Sequence, residues 1–232
     1  MAKINFFDAF AGTTLDPTKW TPGLPGDPQG ATWGSSDMWF PQNAVVSNNL
    51  YLVCNNNTVA NGYPSGSLAA KYACALITTY GKFSYTGGWL KARLLMPNSG
   101  PGFWPAFWLL PDSYPNSGTI QNWELDFEYL TNANTVYCTA HRHGDQIAQW
   151  TVGSTQLSNN YHDYTFYYRP GQYLQFWFDG ALVGQLTGAG APTEPLFPLL
   201  NIDTGGWNGN AISAASRFPA VMTCSHVMSW TE

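Results

Sequence analysis

The sequence is poor in charge, with only 10% of its 232 residues being Asp, Glu, Lys or Arg. Its nine Lys and Arg residues form no run or basic patch, and the formal net charge is −5. Nucleic-acid binding relies on clustered basic side chains, so we expect no nucleic-acid partner. The apolar runs all fall short of the roughly 18 residues that a membrane-spanning helix needs, so we expect no membrane partner.

Cysteine is also scarce, and its spacing carries no metal motif. The four cysteines are Cys54, Cys74, Cys138 and Cys224, and no two of them form a CxxC pair. A zinc site is therefore improbable. Each cysteine lies in an apolar, strand-like run, which leaves both buried free thiols and disulfides open.

Aromatic residues are abundant, at 16% of the chain, with 11 Trp, 13 Tyr and 13 Phe. Many rings and few charges favour a neutral polar ligand that is recognised by ring faces and by hydroxyl or amide groups. Carbohydrate fits that description. Most of the rings are nonetheless expected to fill a large β core.

The sequence predicts many short strands separated by Gly, Pro, Asn and Ser, and it contains no repeat and no linker that would divide it. Residues 45–54 predict a hairpin that turns at 47–49. Further strands are predicted at 71–79, 89–96, 102–110, 123–130, 135–141, 146–152, 164–169, 173–178, 181–186, 196–202 and 221–230. No segment has a helical period of useful length. The sequence therefore predicts an all-β sandwich or barrel forming one domain over residues 1–232.

Residues 123–130 alternate strictly between large apolar and acidic side chains. A period of two is typical of a strand with one buried face. Trp123 and the other apolar residues of the run are then expected in the core. Glu124, Asp126 and Glu128 line the opposite face, which must look into a cleft or into solvent.

Three carboxylates in a row repel one another and have no structural use in a sheet. Like charges at close range push pKa values apart, which suits a site that needs one ionised and one protonated carboxyl. Paired carboxyls with divided roles cleave glycosidic bonds. An acidic strand face can also be merely solvated, or it can hold a divalent cation through its oxygen atoms.

Several segments resemble glycoside hydrolase family 16, the family of laminarinases, lichenases, agarases and xyloglucan transglycosylases. Residues 7–20 resemble its opening segment, and residues 41–52 its second hairpin. The run GFWPAFWLLP at 102–111 is very close to the segment that precedes the family's catalytic strand, and residues 162–180 resemble a later hairpin. The similarity covers about residues 6 to 210, with the motifs in the family's order.

This resemblance implies a jelly-roll β-sandwich of two curved antiparallel sheets, with substrate lying across the concave face. It also implies a retaining mechanism. By position in the motif, Glu124 is the nucleophile and Glu128 the acid/base, while Asp126 supports the nucleophile and the charge of the transition state. The three are expected to titrate as a coupled set.

The substrate cues in the sequence disagree. The regular E-x-D-x-E spacing is shared with lichenases and xyloglucan transglycosylases, whereas the region from Trp104 to Trp108 resembles laminarinases and agarases. We expect an endo-acting hydrolase of β-1,3- or mixed β-1,3/1,4-glucan. A galactan hydrolase of the agarase or carrageenase type is the second alternative, and a transglycosylase the third. A lectin on the same fold is the non-enzymatic alternative, against which the intact carboxylate triad argues.

Five further residues are candidates for substrate binding. Trp104 and Trp108 lie four apart on one strand face, where ring faces can stack on a pyranose, although either could be core. Asn43 matches a family position at a strand entrance, although an Asn there can simply cap a turn. His141 matches a family histidine near the cleft. Trp207 lies in a Gly-rich segment that resembles a cleft loop.

No metal or cofactor is expected. Many family members bind calcium through a carboxylate in the last strand, but residues 222–227 contain no Asp or Glu. His141 and His143 have His-x-His spacing without a third ligand in sight. A polysaccharide is the only expected partner, and the protein is expected to be a monomer. Residues 1–5 lack the apolar segment of a signal peptide, so the extracellular location that we expect requires a removed signal or another route.

Overall fold

The computed structural model describes residues 2–25, 37–56, 71–114, 122–153 and 157–232. Within these ranges the chain forms sixteen β-strands. The first eight are β1 (Lys3–Asp8), β2 (Thr21–Pro22), β3 (Asp37–Trp39), β4 (Ala44–Val46), β5 (Leu50–Asn56), β6 (Tyr72–Thr78), β7 (Gly88–Leu95) and β8 (Phe103–Pro111). The other eight are β9 (Trp123–Leu130), β10 (Thr135–Arg142), β11 (Asp145–Gly153), β12 (His162–Arg169), β13 (Tyr173–Phe178), β14 (Ala181–Thr187), β15 (Leu196–Thr204) and β16 (Ala220–Thr231).

The strands form two layers that meet along one edge. The inner sheet has the order β11-β10-β9-β8-β15-β6, and the outer sheet the order β5-β16-β7-β12-β13-β14. A short pairing of β5 with β6 joins the two layers. Every pairing is antiparallel in the described ranges except that of β3 with β6, which is parallel. The predicted all-β jelly roll is confirmed, with this one parallel pair as a departure from the all-antiparallel expectation.

The core lies between the two layers and is built largely of aromatic rings. Phe107 and Phe127, from adjacent inner strands, are both fully buried. The ring of Phe127 packs against Phe166 at 4.7 Å and against Phe176 at 5.3 Å, both from the outer sheet. Since side chains alternate along a strand, the packing of Phe127 into the core directs its two acidic neighbours to the open face of the inner sheet.

The predicted strands 123–130 and 173–178 are confirmed to the residue, and the others to within two residues at each end. The structure adds β1, β2 and β3, which the sequence pattern did not indicate. β2 has two residues and β3 three, too few for an alternation to be visible. In β1 only Phe6 and Asp8 are buried, since this strand covers just one end of β16.

All four cysteines are buried and none is in a disulfide. The sulfur atoms of Cys54 and Cys74 nevertheless lie only 3.1 Å apart. The described ranges contain no helix that is long and apolar enough to cross a membrane.

Candidate active site

The three acidic residues lie on the open face of β9, in the middle of the inner sheet. β9 pairs with β10 over its whole length without a shift of register, so the strand carries no bulge. Glu124 is partly buried, while Asp126 and Glu128 are only 3% and 9% exposed. The expected face is therefore confirmed, but it is a walled cleft and not an open, solvated surface.

A cavity of about 410 Å³ opens above these carboxyls, within the size range of ligand sites. Strands β8, β9, β10, β11 and β15 and the loop after β15 supply its walls. The lining residues are Trp104, Ala106, Trp108, Glu124, Asp126, Glu128, His141, Gln146, Asn201, Asp203, Gly206 and Trp207. The structure thus brings together seven of the eight predicted site residues.

Burial raises the pKa values of two of the three carboxyls. Burial raises the pKa of Glu128 from its ordinary 4.5 to about 8, and the negative charge of Glu124 adds to the effect. Burial also raises the pKa of Asp126 well above its usual range, helped by the charges of Glu124 and Glu128. At neutral pH Glu128 therefore holds a proton in a cleft that also contains a second glutamate.

Two of the predicted substrate-binding residues, Trp104 and His141, lie close to the carboxyls of the acidic row. The indole Nε1 of Trp104 donates a hydrogen bond of 3.1 Å to Oε1 of Glu128. His141 lies opposite Glu124 on the adjacent strand, and its Nε2 is 3.5 Å from Oδ2 of Asp126. That carboxyl oxygen is buried and has no hydrogen-bond partner among the described residues. The tryptophan and the histidine thus bracket the row from two sides.

The cleft floor contains two polar residues that the sequence analysis missed. Nε1 of Trp108 donates to Oδ1 of Asn201 at 2.8 Å, and Nδ2 of Asn201 donates to Oδ2 of Asp203 at 2.9 Å. Nε1 of Trp39 completes the chain with a 2.7 Å bond to Oδ1 of Asp203. Trp108 is accordingly a fixed part of the floor, 5% exposed. The polar side chains of Asn201 and Asp203 in an otherwise apolar strand could have identified both residues from the sequence.

Trp207 and Gly206, from the loop after β15, form a further wall of the cleft. The ring of Trp207 packs edge-on against Tyr137 at 4.8 Å, and its buried Nε1 has no hydrogen-bond partner among the described residues. Gly206 has a φ of +101°, and a Cβ there would come within 3.2 Å of Trp104. Glycine is therefore required for the loop to approach the tryptophan wall so closely.

Asn43 does not lie in this cleft, and its predicted role in substrate binding is corrected. It is 3% exposed and ends a short 3₁₀ turn over Pro41–Asn43. Its Nδ2 donates to the carbonyls of Val53 at 3.0 Å and Ala73 at 2.8 Å. Since both amide hydrogens serve the backbone of β5 and β6, Asn43 is a structural residue that ties the two sheets together.

The expectation that His141 has no further metal-ligand atoms nearby is wrong. His141 does meet further ligand atoms, because Glu124, Asp126 and His141 offer three that lie within 4.8 Å of one another. Such a group can hold a divalent cation or can divide protons among its members. Calcium prefers six to eight oxygen ligands, which three side chains including an imidazole match poorly.

Comparison with known proteins gives a consistent result. The profile of "Glycosyl hydrolases family 16" matches residues 35–225. A glucan endo-1,3-β-glucosidase A1 of Niallia circulans is 26% identical over 97% of this chain. An endo-1,3-1,4-β-glycanase of Rhizobium meliloti is 30% identical over 60% of it. The chain spans 37% and 29% of the lengths of these two proteins.

The fold also matches solved structures. The crystal structure of the laminarinase catalytic domain of Thermotoga maritima superposes with a TM-score of 0.82 at 24% identity. That match covers all of this chain and 98% of the other. At this identity the likeness establishes the shared fold.

Proposed function

Because the chain belongs to glycoside hydrolase family 16, we propose that it is a retaining endo-β-glycan hydrolase with Glu124 as nucleophile and Glu128 as acid/base. One observation supports these roles above the others. Burial raises the pKa of Glu128 to about 8, so it holds a proton at neutral pH. It lies on the same strand face as Glu124, four residues away. A double displacement requires one carboxyl that donates a proton and a second carboxylate that attacks the anomeric carbon.

The reaction proceeds in two steps. Glu128 first gives its proton to the glycosidic oxygen while Glu124 attacks the anomeric carbon, forming a covalent glycosyl-enzyme and releasing the first product. Glu128, now ionised, then takes a proton from water, and the resulting hydroxide displaces Glu124. Two inversions at the same carbon leave the β configuration unchanged.

The neighbouring residues tune these two groups. Trp104 donates to Glu128 and so fixes the direction in which its carboxyl points. Asp126 lies between the glutamates, and its burial raises its pKa well above the usual range. We assign it the role of supporting Glu124. His141 lies on the adjacent strand, with its Nε2 3.5 Å from Oδ2 of Asp126.

Substrate binding falls to the tryptophans of the cleft. Trp104 and Trp207 offer ring surface for pyranose faces, while Trp108 shapes the floor through its bond to Asn201. Few charges line the cleft apart from its carboxyls and a histidine, which suits a neutral polymer.

We infer a β-1,3- or mixed β-1,3/1,4-glucan as the preferred polymer. The names of the two relatives, one a glucan endo-1,3-β-glucosidase and the other an endo-1,3-1,4-β-glycanase, support this choice. We further propose one catalytic domain over residues 1–232 that acts as a monomer outside the cell. The single core shared by both sheets supports the one-domain proposal.

A polysaccharide panel scored for released reducing ends tests the activity. Laminarin and mixed-linkage β-glucan are expected to be cut fastest, with agarose, carrageenan and xyloglucan as the competing substrates. The Glu124→Ala variant is the matched control and is expected to release none. Binding of glucan by the unmutated protein without any cleavage would favour the lectin alternative instead.

Azide rescue of an aryl β-glycoside with a good leaving group tests the two roles. Such a substrate hardly needs the acid, so Glu128→Ala is expected to accumulate the glycosyl-enzyme, and azide is expected to release it as the β-glycosyl azide. In Glu124→Ala azide can only attack from the vacated face, which gives the α product. The same azide product from both variants would refute the assignment.

A further inference from the structure

The thiols of Cys54 and Cys74 form a close pair at the edge where the two sheets join. Their sulfur atoms lie 3.1 Å apart, and both residues are fully buried. We propose that these two cysteines form an intramolecular disulfide when the protein folds in the presence of a low-molecular-weight disulfide. The bond would join the inner and outer sheets covalently.

The strand register supports the bond without a change of backbone. Asn55 pairs with Ala73 in the antiparallel contact of β5 with β6. Continued by one residue, this register brings Cys54 opposite Cys74, in agreement with the 3.1 Å between their sulfur atoms. Opposed residues of antiparallel strands have Cα atoms roughly 4.5–5.5 Å apart, inside the range of about 4.4–6.8 Å that a disulfide spans. The two sulfurs need only to approach each other.

Formation of the bond leaves the neighbouring carboxyl of Asp37 with hydrogen-bond donors. The Cys74 thiol lies 3.4 Å from Oδ2 of Asp37, to which it donates. The same oxygen accepts hydrogen bonds from the backbone N and the Oγ1 of Thr204, at 2.6 Å and 2.7 Å. Asp37 therefore stays partnered when the thiol hydrogen is lost.

The other two cysteines are not placed to compete. Cys138 lies opposite Phe127 and Trp150 in its sheet. The Cys224 thiol donates to the carbonyl of His226 at 3.4 Å. Neither contact involves a second thiol, so the pairing is expected to be specific.

The reaction is a thiol–disulfide exchange in two steps. One cysteine thiolate attacks the small disulfide, which gives a mixed disulfide and releases one small thiol. The second cysteine thiolate then displaces the other small thiol, so that two protein thiols are oxidised and one small disulfide is reduced to two thiols. Burial raises the pKa of both cysteine thiols, so we expect the exchange during folding and not in the closed native core.

The test uses the full chain, unfolded in denaturant with dithiothreitol and refolded in a buffer of reduced and oxidised glutathione. Trypsin cleavage after Lys19, Lys71 and Lys82 places Cys54 in the peptide 20–71 and Cys74 in the peptide 72–82. Digestion without reductant is expected to yield these two peptides linked. The intact mass is expected to fall by about 2 Da, the two hydrogens lost on oxidation.

The matched variants separate this bond from other oxidation. Cys138→Ala/Cys224→Ala is expected to keep the linked peptide, whereas Cys54→Ala/Cys74→Ala is expected to lose it. The oxidised protein is expected to melt about 5–10 °C above the same sample refolded in dithiothreitol, the shift typical of a disulfide in a chain of this size.

Four free thiols in the refolded, denatured protein would overturn the proposal, and this readout does not require any variant to fold. A linkage that involves Cys138 or Cys224 would overturn it as well. So would a stoichiometric metal ion held by Cys74 with Asp37 and Asp203, whose ligand atoms lie within 4.8 Å of one another.

Discussion

At the scale of single residues, the site shows how position gives different chemistry to similar side chains. Glu124 and Glu128 lie on one strand face, but Glu128 is 9% exposed and receives a hydrogen bond from Trp104. Its burial next to the charge of Glu124 is what keeps it protonated near neutral pH. The same two carboxyls exposed to water would both be ionised, and neither could serve as an acid.

The pH dependence of turnover follows from this protonation. Glu128 must hold its proton in the first step, and the group loses that proton as the pH rises through about 8. On a polysaccharide, kcat/KM is therefore expected to fall about tenfold for each pH unit above that value. An aryl glycoside with a good leaving group is the control, since its first step should show a much weaker alkaline limb. Identical limbs on both substrates would contradict the assignment.

A second prediction concerns the cleft wall. Trp207→Ala removes ring surface, so binding of the preferred glucan is expected to weaken by about 1–3 kcal/mol, by analogy with base stacking on aromatic rings. Trp177→Ala is the matched control, because Trp177 is partly buried against Trp89 on the outer sheet, away from the cleft. Isothermal titration with the inactive Glu124→Ala background measures both. Equal affinities for the two variants would place the substrate elsewhere.

At the scale of elements, strict alternation made β9 predictable, whereas the cleft floor was not. Every second residue of β9 is large and apolar, so its two faces could be assigned from the sequence. The predicted strand at 196–202 ended before Asp203, which left the second polar residue of the floor outside it. In the structure β15 continues to Thr204, because its pairing with β8 runs on to Phe103.

Asn43 shows a different limit of sequence reasoning. Its position at a strand entrance was visible, but the partners of its amide were not, because Val53 and Ala73 belong to strands that meet only in the folded sandwich. The Gly-rich segment around Trp207 could be placed in the cleft by its resemblance alone. Contacts between distant segments therefore account for most of what the sequence could not supply.

The corrected role of Asn43 predicts a loss of stability with little change in catalysis. Asn43→Ala leaves the buried carbonyl of Ala73 and the partly buried carbonyl of Val53 without this donor. The expected cost is about 1–3 kcal/mol in the free energy of unfolding. Gln42→Ala, an exposed neighbour on the same turn, is the control and is expected to change stability little. Denaturant unfolding and initial rates on laminarin measure both effects. A stable Asn43→Ala protein with a strongly raised KM would restore the substrate-binding role.

At the scale of the whole molecule, the sandwich buries the two sheet faces that meet in the core and leaves the acidic row on the opposite face of the inner sheet. The aromatic core between the layers fixes the inner sheet, and with it the direction of the acidic row. Charged residues are scarce elsewhere in the chain, so the buried carboxyls are a concentrated exception. Burying carboxyls lowers the stability of the fold, and such a loss is tolerated at sites where function requires it.

Metal removal is a prediction for the whole protein. We expect Glu124, Asp126 and His141 to work without a metal, so treatment with a chelator is expected to leave both Tm and the rate on laminarin unchanged. Added calcium is likewise expected to have no effect on Tm, because ligand binding would raise it. Loss of activity in chelator, with recovery on addition of one divalent cation, would show that these three residues hold a metal.

The configuration of the first product shows whether Glu124 and Glu128 act by double displacement. Glu124 as nucleophile and Glu128 as acid/base require two inversions, so products released from a β-glucan must first carry the β configuration. Proton NMR during the first minutes of turnover resolves the two anomers before they equilibrate. We expect an initial excess of the β anomer that later decays toward equilibrium. An initial excess of the α anomer would rule out double displacement at this site.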